Sequence, residues 1–237
     1  MVELGQYRLP SFNKRLLVIV GGYGSGKSEV SVNLARFLAL TQPEPVAIAD
    51  LDIVNPYFRS REAASQLAAL GVRSIVPPGD QVHADLPIII PEIHSAIKQH
   101  DGYLILDVGG DDVGSRVLSS LADAFMPDSY ELFLVLNANR PFTSTVEGTR
   151  KLIGEIETAS RLRFTGLIGN THLLEYTTTD TVLQGLSLTR HVSEATGLPI
   201  VFVSALRPIV EEMTSRVKDL AALPLDRSLV KPWEKRA

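Results

Sequence analysis

Cysteine is absent from all 237 residues. Disulfides, thiolate metal sites, protein-ligated iron–sulfur clusters and cysteine nucleophiles are therefore excluded within one chain. Long apolar runs are missing as well. None approaches the roughly 20 residues that span a bilayer, and the opening stretch MVELGQYRLPSFNKR lacks the apolar core of a signal peptide. The expectation is a cytoplasmic protein without a stable membrane anchor. There is no basic excess: 23 Lys and Arg against 27 Asp and Glu give a formal net charge of -4, so nucleic acid is not an expected partner. No linker-like or repetitive segment divides the chain, and a single domain over 1–237 is expected, with 1–13 and 225–237 as flexible ends. The one tryptophan falls in that tail, LVKPWEKRA, which is too short for an amphipathic anchor.

What the chain does have is a regular alternation. LLVIV is a continuous apolar run, the pattern of a strand buried on both faces. After Ser28 the period changes, and Val30, Leu34, Phe37 and Leu38 recur at helical spacing. VAIAD, RSIV, YLILDVGG, ELFLVLNA, FTGLIGN and PIVFVSA read as further strands. Between them lie helical segments. One is closed by Gly71, one starts at Pro91, one covers Val113–Ala124, one is TSTVEGTRKLIGEIETAS, and one is capped by threonines and stopped by Gly197. IVEEMTSRVKDLAAL reads as the last helix. The predicted class is α/β, a mostly parallel sheet flanked by helices on both faces. Ligands of such sheets sit at the carboxyl ends of the strands, and each motif below lies at one.

GGYGSGKS, directly after the first strand, fits the phosphate-cradling pattern G-x-x-x-x-G-K-[ST]. Its glycines let backbone N–H groups wrap phosphate oxygens, and the helix that follows adds unpaired N–H groups and the positive end of its dipole. The expected nucleotide-binding residues are Gly22, Tyr23, Gly24, Ser25, Gly26, Lys27, Ser28 and Glu29. Lys27 reaches toward the β- and γ-phosphates, and the Ser28 hydroxyl can ligate Mg²⁺. In ILDVGG, Asp107 ends a strand, where it either holds Mg²⁺ through water or caps a turn. Gly110 can offer its N–H to a γ-phosphate. Asp50 and Asp52 are two apart on an extended chain and point the same way. One of them can tune the metal while the other orients an attacking water or hydroxyl; alternatively Asp52 caps a turn. Asp111 and Asp112 read as solvated loop acids.

VIVGGYGSGKSEVSVNLA, VAIADLD and LILDVGG in this order, with LIGN and VSALRP further on, resemble the MinD/ParA-like P-loop ATPases. That group includes nitrogenase iron protein and the CobQ/CobB synthetases. The resemblance runs from about Leu16 to Pro208. It implies an ATP hydrolase that uses ATP and Mg²⁺ and acts as a nucleotide-dependent switch on a protein partner. The alternative is an ATP-dependent kinase or ligase acting on a small molecule. By the resemblance, Ser28, Asp50 and Asp107 serve the metal, Lys27 and Asp52 serve catalysis, and Asn170 reads the adenine edge. The loop Ala205–Pro208, with Arg207 and Pro208, lines the base. A nucleotide-linked homodimer is also implied, but dimerising members carry a second lysine where this chain has Gly22. Arg59, Arg61 and Arg116 are the candidates to replace it across a dimer, with surface charge as the alternative. Members with metal roles often use paired cysteines, which this chain lacks.

The base-reading segment is Asn170-Thr171-His172-Leu173. Leu173 cannot accept hydrogen bonds from a guanine edge, which favours ATP over GTP. Asn170 either contacts the base or caps the strand end. His83, His94, His100, His172 and His191 show no metal spacing and read as surface or satisfied histidines. NANRPFTST, which contains Arg140, either touches a substrate, partner or base or is a plain loop. A small-molecule pocket, if the enzyme alternative holds, is expected near 77–87, Arg140 or Asp111-Asp112.

Overall fold

The computed structural model describes residues 7–52, 64–75, 90–213 and 215–227. Asn55-Pro56, Arg59, Arg61, the 77–87 segment with His83, and the tail 228–237 lie outside them.

The run LLVIVG forms β1 (Leu16–Gly21), buried at every position. The other strands are β2 (Val46–Asp50), β3 (Arg73–Ile75), β4 (Tyr103–Gly109), β5 (Tyr130–Leu136), β6 (Gly166–Gly169), β7 (Ile200–Leu206) and β8 (Ala222–Leu225). Among the described residues they form one sheet in the order β3-β2-β4-β1-β5-β6-β7-β8, and every neighbouring pair is parallel. The connecting helices are α1 (Lys27–Thr41), α2 (Ala64–Ala69), α3 (Ile90–Gln99), α4 (Asp112–Ser120), α5 (Val146–Ser160), α6 (Thr179–Thr196) and α7 (Arg207–Met213).

Both sheet faces are buried, which is why the strands read as unbroken apolar runs. Val18, Val20, Leu106 and Val108 pack with Ile93 of α3, Leu118 of α4 and Leu152 of α5. Leu17, Ile19, Ile105 and Phe133 face the other way, onto Val30, Leu34 and Leu38 of α1 and Leu67 of α2. The expected α/β class is the observed one. The expected helix stops also hold. Thr178 and Thr181 form a capping box for α6, and Gly197 ends that helix in the left-handed conformation.

Three expectations are corrected. The last helix is short, ending at Met213, and Ala222–Leu225 leaves it to become β8 beside β7. There Ala222 joins one apolar cluster while Leu223 and Leu225 join another. Burying both faces of an edge strand outweighs helix propensity, and an edge tolerates Pro224. The segment 205–208 is not a loop: Leu206 ends β7 and Arg207 begins α7, with Pro208 in the first helical turn. The described residues also reach into both segments expected to be flexible, 7–13 and 225–227. Phe12 stacks near Phe133 and Phe202, the Ala222 N–H donates to the Arg8 carbonyl, and Leu225 is buried.

Strand order reverses around β1, since the chain visits β2, β3 and β4 on one side and β5 to β8 on the other. The crevice beyond the carboxyl end of β1 is therefore a topological switch point. Register brings the key ends together: Gly21 lies opposite Gly109, and Asp50 opposite Asp107. Gly114, in the first turn of α4, presses on the end of β4, where an added Cβ would meet the Gly109 carbonyl oxygen at 1.9 Å. Gly154, exposed on α5, has open space. In urea unfolding, Gly114→Ala is expected to lose about 1–3 kcal/mol through overpacking. Gly154→Ala should gain about 0.4–1 kcal/mol through helix propensity and reduced unfolded-state entropy.

Candidate functional site

β1 delivers the chain into a loop in which Gly24 (φ +73°) and Gly26 (φ +83°) are left-handed. A side chain at either position would be strained. Gly26 is also the N-cap of α1 and offers no side chain to its first-turn N–H groups, which leaves those donors for a ligand. Tyr23 projects from the loop, 76% exposed, so only its backbone belongs to the cradle. Glu29, in the first turn of α1, takes a hydrogen bond from Asn33 Nδ2 at 3.2 Å and contributes to the cradle through its position at the helix start.

The loop is braced from both sides. Toward β4, the Gly110 N–H donates to the Gly21 carbonyl at 3.0 Å, and a Cβ on Gly110 would strike Gly21 and Gly22 backbone at 2.6 Å. The expected free N–H of Gly110 is thus engaged with the loop itself. Toward β5 and β6, Asn137 Nδ2 and Arg140 Nε both donate to the Gly24 carbonyl, at 3.2 and 2.9 Å. Asn170 Nδ2 donates to the Ser25 carbonyl at 2.8 Å, while its Oδ1 accepts from Ser204 Oγ at 3.0 Å.

A buried charge cluster lies beside the loop. Lys27 Nζ is 2.5 Å from Asp52 Oδ2, with both side chains almost wholly buried. Burial acts against the Lys27 charge, but Asp107 first, then Asp52 and Asp50, outweigh it and hold its pKa above the ordinary value. Asp107 is completely buried. Burial pushes its pKa up to about 6, against the pull of Lys27 and the nearby Ser28 hydroxyl; the Asp52 charge adds to the rise and Ser31 opposes it. Ser31 Oγ reaches Asp107 Oδ1 at 3.3 Å, and Asp50 Oδ1 accepts the Asp52 N–H at 3.1 Å. Ser28 Oγ and Asp107 Oδ2 are buried without a well-formed hydrogen bond. A hydroxyl and a carboxylate oxygen left so beside a phosphate loop fit a hard cation such as Mg²⁺, which keeps several waters and is shared with phosphate. No cluster of three His, Asp or Glu among the described residues would hold a metal by itself.

Of the residues expected from sequence, Lys27, Ser28, Asp50, Asp52 and Asp107 converge. Two others have partners within the protein. The Asn170 amide donates to the loop and accepts from Ser204, and so braces the cradle. Arg207 forms a two-pronged ion pair with Asp226, at 3.2 and 2.9 Å, and Pro208 is exposed at the start of α7. Asp111 is not a free loop acid, because its carboxylate caps α4 by accepting the Gly114 N–H at 2.9 Å. Arg116 is exposed on α4. Asn137, Arg140 and Ser204 support the loop unforeseen, as does His172, whose ring packs beside Gly26. Their signal was position: each lies at or just past the carboxyl end of β5, β6 or β7.

This architecture has counterparts among solved structures, and they are P-loop NTPase domains. Cell division protein FtsY from Thermotoga maritima matches with a TM-score of 0.54 at 19% identity, over 86% of this chain and 66% of that one. Chloroplast FtsY from Physcomitrella patens matches at 0.53 and 18%, over 94% and 66%. Signal recognition particle receptor FtsY from Elizabethkingia anophelis, in complex with GDP, matches at 0.51 and 18%, over 87% and 61%. The chain spans less than two thirds of the length of these FtsY chains, and at such identities the likeness is one of fold. No protein-family model matches the sequence, and no curated protein matches it.

His172 yields a pH prediction. Burial first, then the Arg140 charge, depress its pKa to about 4 from 6.5, against backbone groups of Gly24 and Ser25 that favour the charged ring. The unfolded chain therefore takes up this proton at higher pH than the folded one. The stability that a neutral His172 contributes is complete above pH 6.5 and is lost as pH falls toward 4. At 1.36 kcal/mol per pKa unit this amounts to at most about 3 kcal/mol. Urea unfolding as a function of pH should show His172→Gln losing less stability than the parent between pH 6.5 and 4. Parallel curves would remove His172 as the source.

Proposed function

We propose that this chain is a P-loop nucleoside triphosphatase of the SIMIBI class that uses ATP and Mg²⁺ and works as a nucleotide-dependent switch. The observation that carries this is the convergence of Lys27, Ser28, Asp50, Asp52 and Asp107 around a loop with two left-handed glycines, at the switch point of a parallel sheet.

The residues divide the work by position. Loop N–H groups and the start of α1 receive phosphate oxygens. Ser28, Asp107 and Asp50 hold Mg²⁺, directly or through water, and the ion would neutralise charge shared by the β- and γ-phosphates. Lys27 is already charged in the folded protein and needs only to turn from Asp52 to a phosphate. A γ-phosphate and the Asp52 carboxylate compete for the same ammonium. Once displaced, Asp52 is placed to orient a water at the γ-phosphate and to accept its proton as the oxygen bonds to phosphorus and the bond to the β–γ bridging oxygen breaks, releasing the nucleoside diphosphate and phosphate. Gly110 links the same event to α4, because its bond to the Gly21 carbonyl ties the loop to the turn that Asp111 caps.

Adenine is favoured by Leu173, which stands three residues after Asn170 and carries no acceptor for a guanine N1–H. The GDP complex of the Elizabethkingia FtsY is the observation that favours guanine, so both nucleotides belong in the test. A MinD/ParA-type role, with a protein partner and a nucleotide-linked dimer, is the finer form of this proposal. Gly22 leaves no lysine at the loop start to reach a second subunit. Of the segments expected to line a small-molecule pocket, 77–87 lies outside the described residues, Asp111 caps a helix and Arg140 lies on the phosphate loop. No described feature favours the kinase or ligase alternative.

Calorimetric titration with Mg²⁺ should show ATP binding at least tenfold tighter than GTP; the reverse order would move the assignment to guanine. Lys27→Ala should weaken triphosphate binding by about 2–5 kcal/mol, the effect of removing one partner of a buried charge pair. Unchanged affinity in that variant would refute the site. Turnover stimulated by a protein fits the switch, whereas turnover dependent on a small metabolite would replace it by the enzyme alternative.

A further inference from the structure

We propose that Arg140 is the nucleoside clamp of this site: its guanidinium packs against the sugar and base of the bound nucleotide. The inference rests on the nucleotide-binding function proposed above and names a part of the site that the motif residues leave open.

A nucleoside triphosphate is a directional ligand, and the charge cluster fixes its direction. The groups suited to a γ-phosphate and its cation, Asp50, Asp52 and Asp107, are on the ends of β2 and β4. Those strands lie on one side of β1. With the terminal phosphate there and the loop wrapping the middle of the chain, the α-phosphate and nucleoside leave toward the opposite side, over the ends of β5, β6 and β7. What the loop meets on that side is Arg140. Its Nε donates to the Gly24 carbonyl at 2.9 Å. A Cβ built on Gly24 would lie 2.6 to 3.0 Å from Arg140 Nε, Cζ and Nη2. The guanidinium therefore lies against the loop tip where only a glycine permits it. Among the described residues no carboxylate is within ion-pair distance of Arg140, and His172 next to it is held neutral. The planar cation is thus pinned by one nitrogen to the cradle, with no anion to neutralise it.

The side chains expected at the base are occupied elsewhere, Asn170 by Ser25 and Ser204 and Arg207 by Asp226. Arg140 takes the place beside the nucleoside. A guanidinium plane stacks on any base and donates to sugar oxygens without reading a base edge. It selects nucleotides over inorganic polyphosphates, and it distinguishes one base from another only weakly. It also answers the search for an extra cation at the phosphate loop. Among the described residues the cation on the loop besides Lys27 is Arg140, which approaches from the nucleoside side and so does not act on the transferring phosphoryl group.

The test compares Mg²⁺-ATP with Mg²⁺-tripolyphosphate, which has the three phosphates and no nucleoside. Both are titrated into the full chain, its Arg140→Ala and Arg140→Lys variants, and Lys27→Ala. The parent should bind both ligands, and Lys27→Ala should lose both. Arg140→Ala removes one brace of the Gly24 carbonyl and leaves that of Asn137, so it should lose about tenfold more affinity for ATP than for tripolyphosphate, the scale of one lost stacking contact. Arg140→Lys keeps a donor for the Gly24 carbonyl and loses the plane. It too should weaken ATP and spare tripolyphosphate, with KM for ATP raised and kcat retained. Equal weakening of both ligands in both variants would make Arg140 a loop brace only, and undiminished ATP affinity would place the nucleoside elsewhere. Either result overturns the clamp while leaving the phosphate site standing. A parent that binds neither ligand would overturn the phosphate site itself.

Discussion

One buried ammonium among three carboxylates organises this molecule. Lys27, Asp50, Asp52 and Asp107 are nearly or completely removed from water, and a charge there is tolerated only because an opposite charge is in contact. Even so burial, with the Asp52 charge adding to it, pushes Asp107 to about 6. In the proposed function a cation completes the site. Only a rigid scaffold can hold like charges this close, and the scaffold is the parallel sheet, whose register sets Asp50 opposite Asp107.

The two flanks of the phosphate loop differ in kind. On the β2 and β4 side stand charged groups able to rearrange: an ion pair that a phosphate can exchange, and a Gly110 N–H that joins the loop to the next helix. On the β5 to β7 side stand Asn137, Arg140, Asn170 and Ser204, which hold the Gly24 and Ser25 carbonyls by directed hydrogen bonds. In the proposed function, chemistry and switching belong to the first flank, and positioning belongs to the second. A loop fixed on one side and exchangeable on the other can pass a change at the γ-phosphate to the turn after β4 without losing its grip on the rest of the ligand.

Much of this was legible in the residues. Unbroken apolar runs meant strands buried on both faces, the change to helical period after Ser28 meant a strand–loop–helix unit, and Thr178 and Gly197 marked a helix by local chemistry alone. The G-x-x-x-x-G-K-S pattern named Lys27 and Ser28, and acids at strand ends named Asp50, Asp52 and Asp107. What misled was local pattern where tertiary burial had the last word. VKDLAAL has helical composition, yet the sheet edge drew its end into β8. Asn170 and Arg207 carry the functional groups a base needs, and their partners here, a loop carbonyl and Asp226, could not be read from the segments themselves. Asp111 is exposed as expected, but its N-capping bond depends on where α4 begins.

The order of residues alone determined the elements, their alternation and the place of Lys27 at the end of a glycine loop, because those follow from short-range periodicity and from backbone freedom at particular glycines. Only the tertiary structure decided that Asn137, Arg140, His172 and Ser204 meet the loop, since strands adjacent in the sheet are more than a hundred residues from it along the chain. Their contacts arise from strand order and register, which depend on burying two faces at once and leave no mark on any single segment.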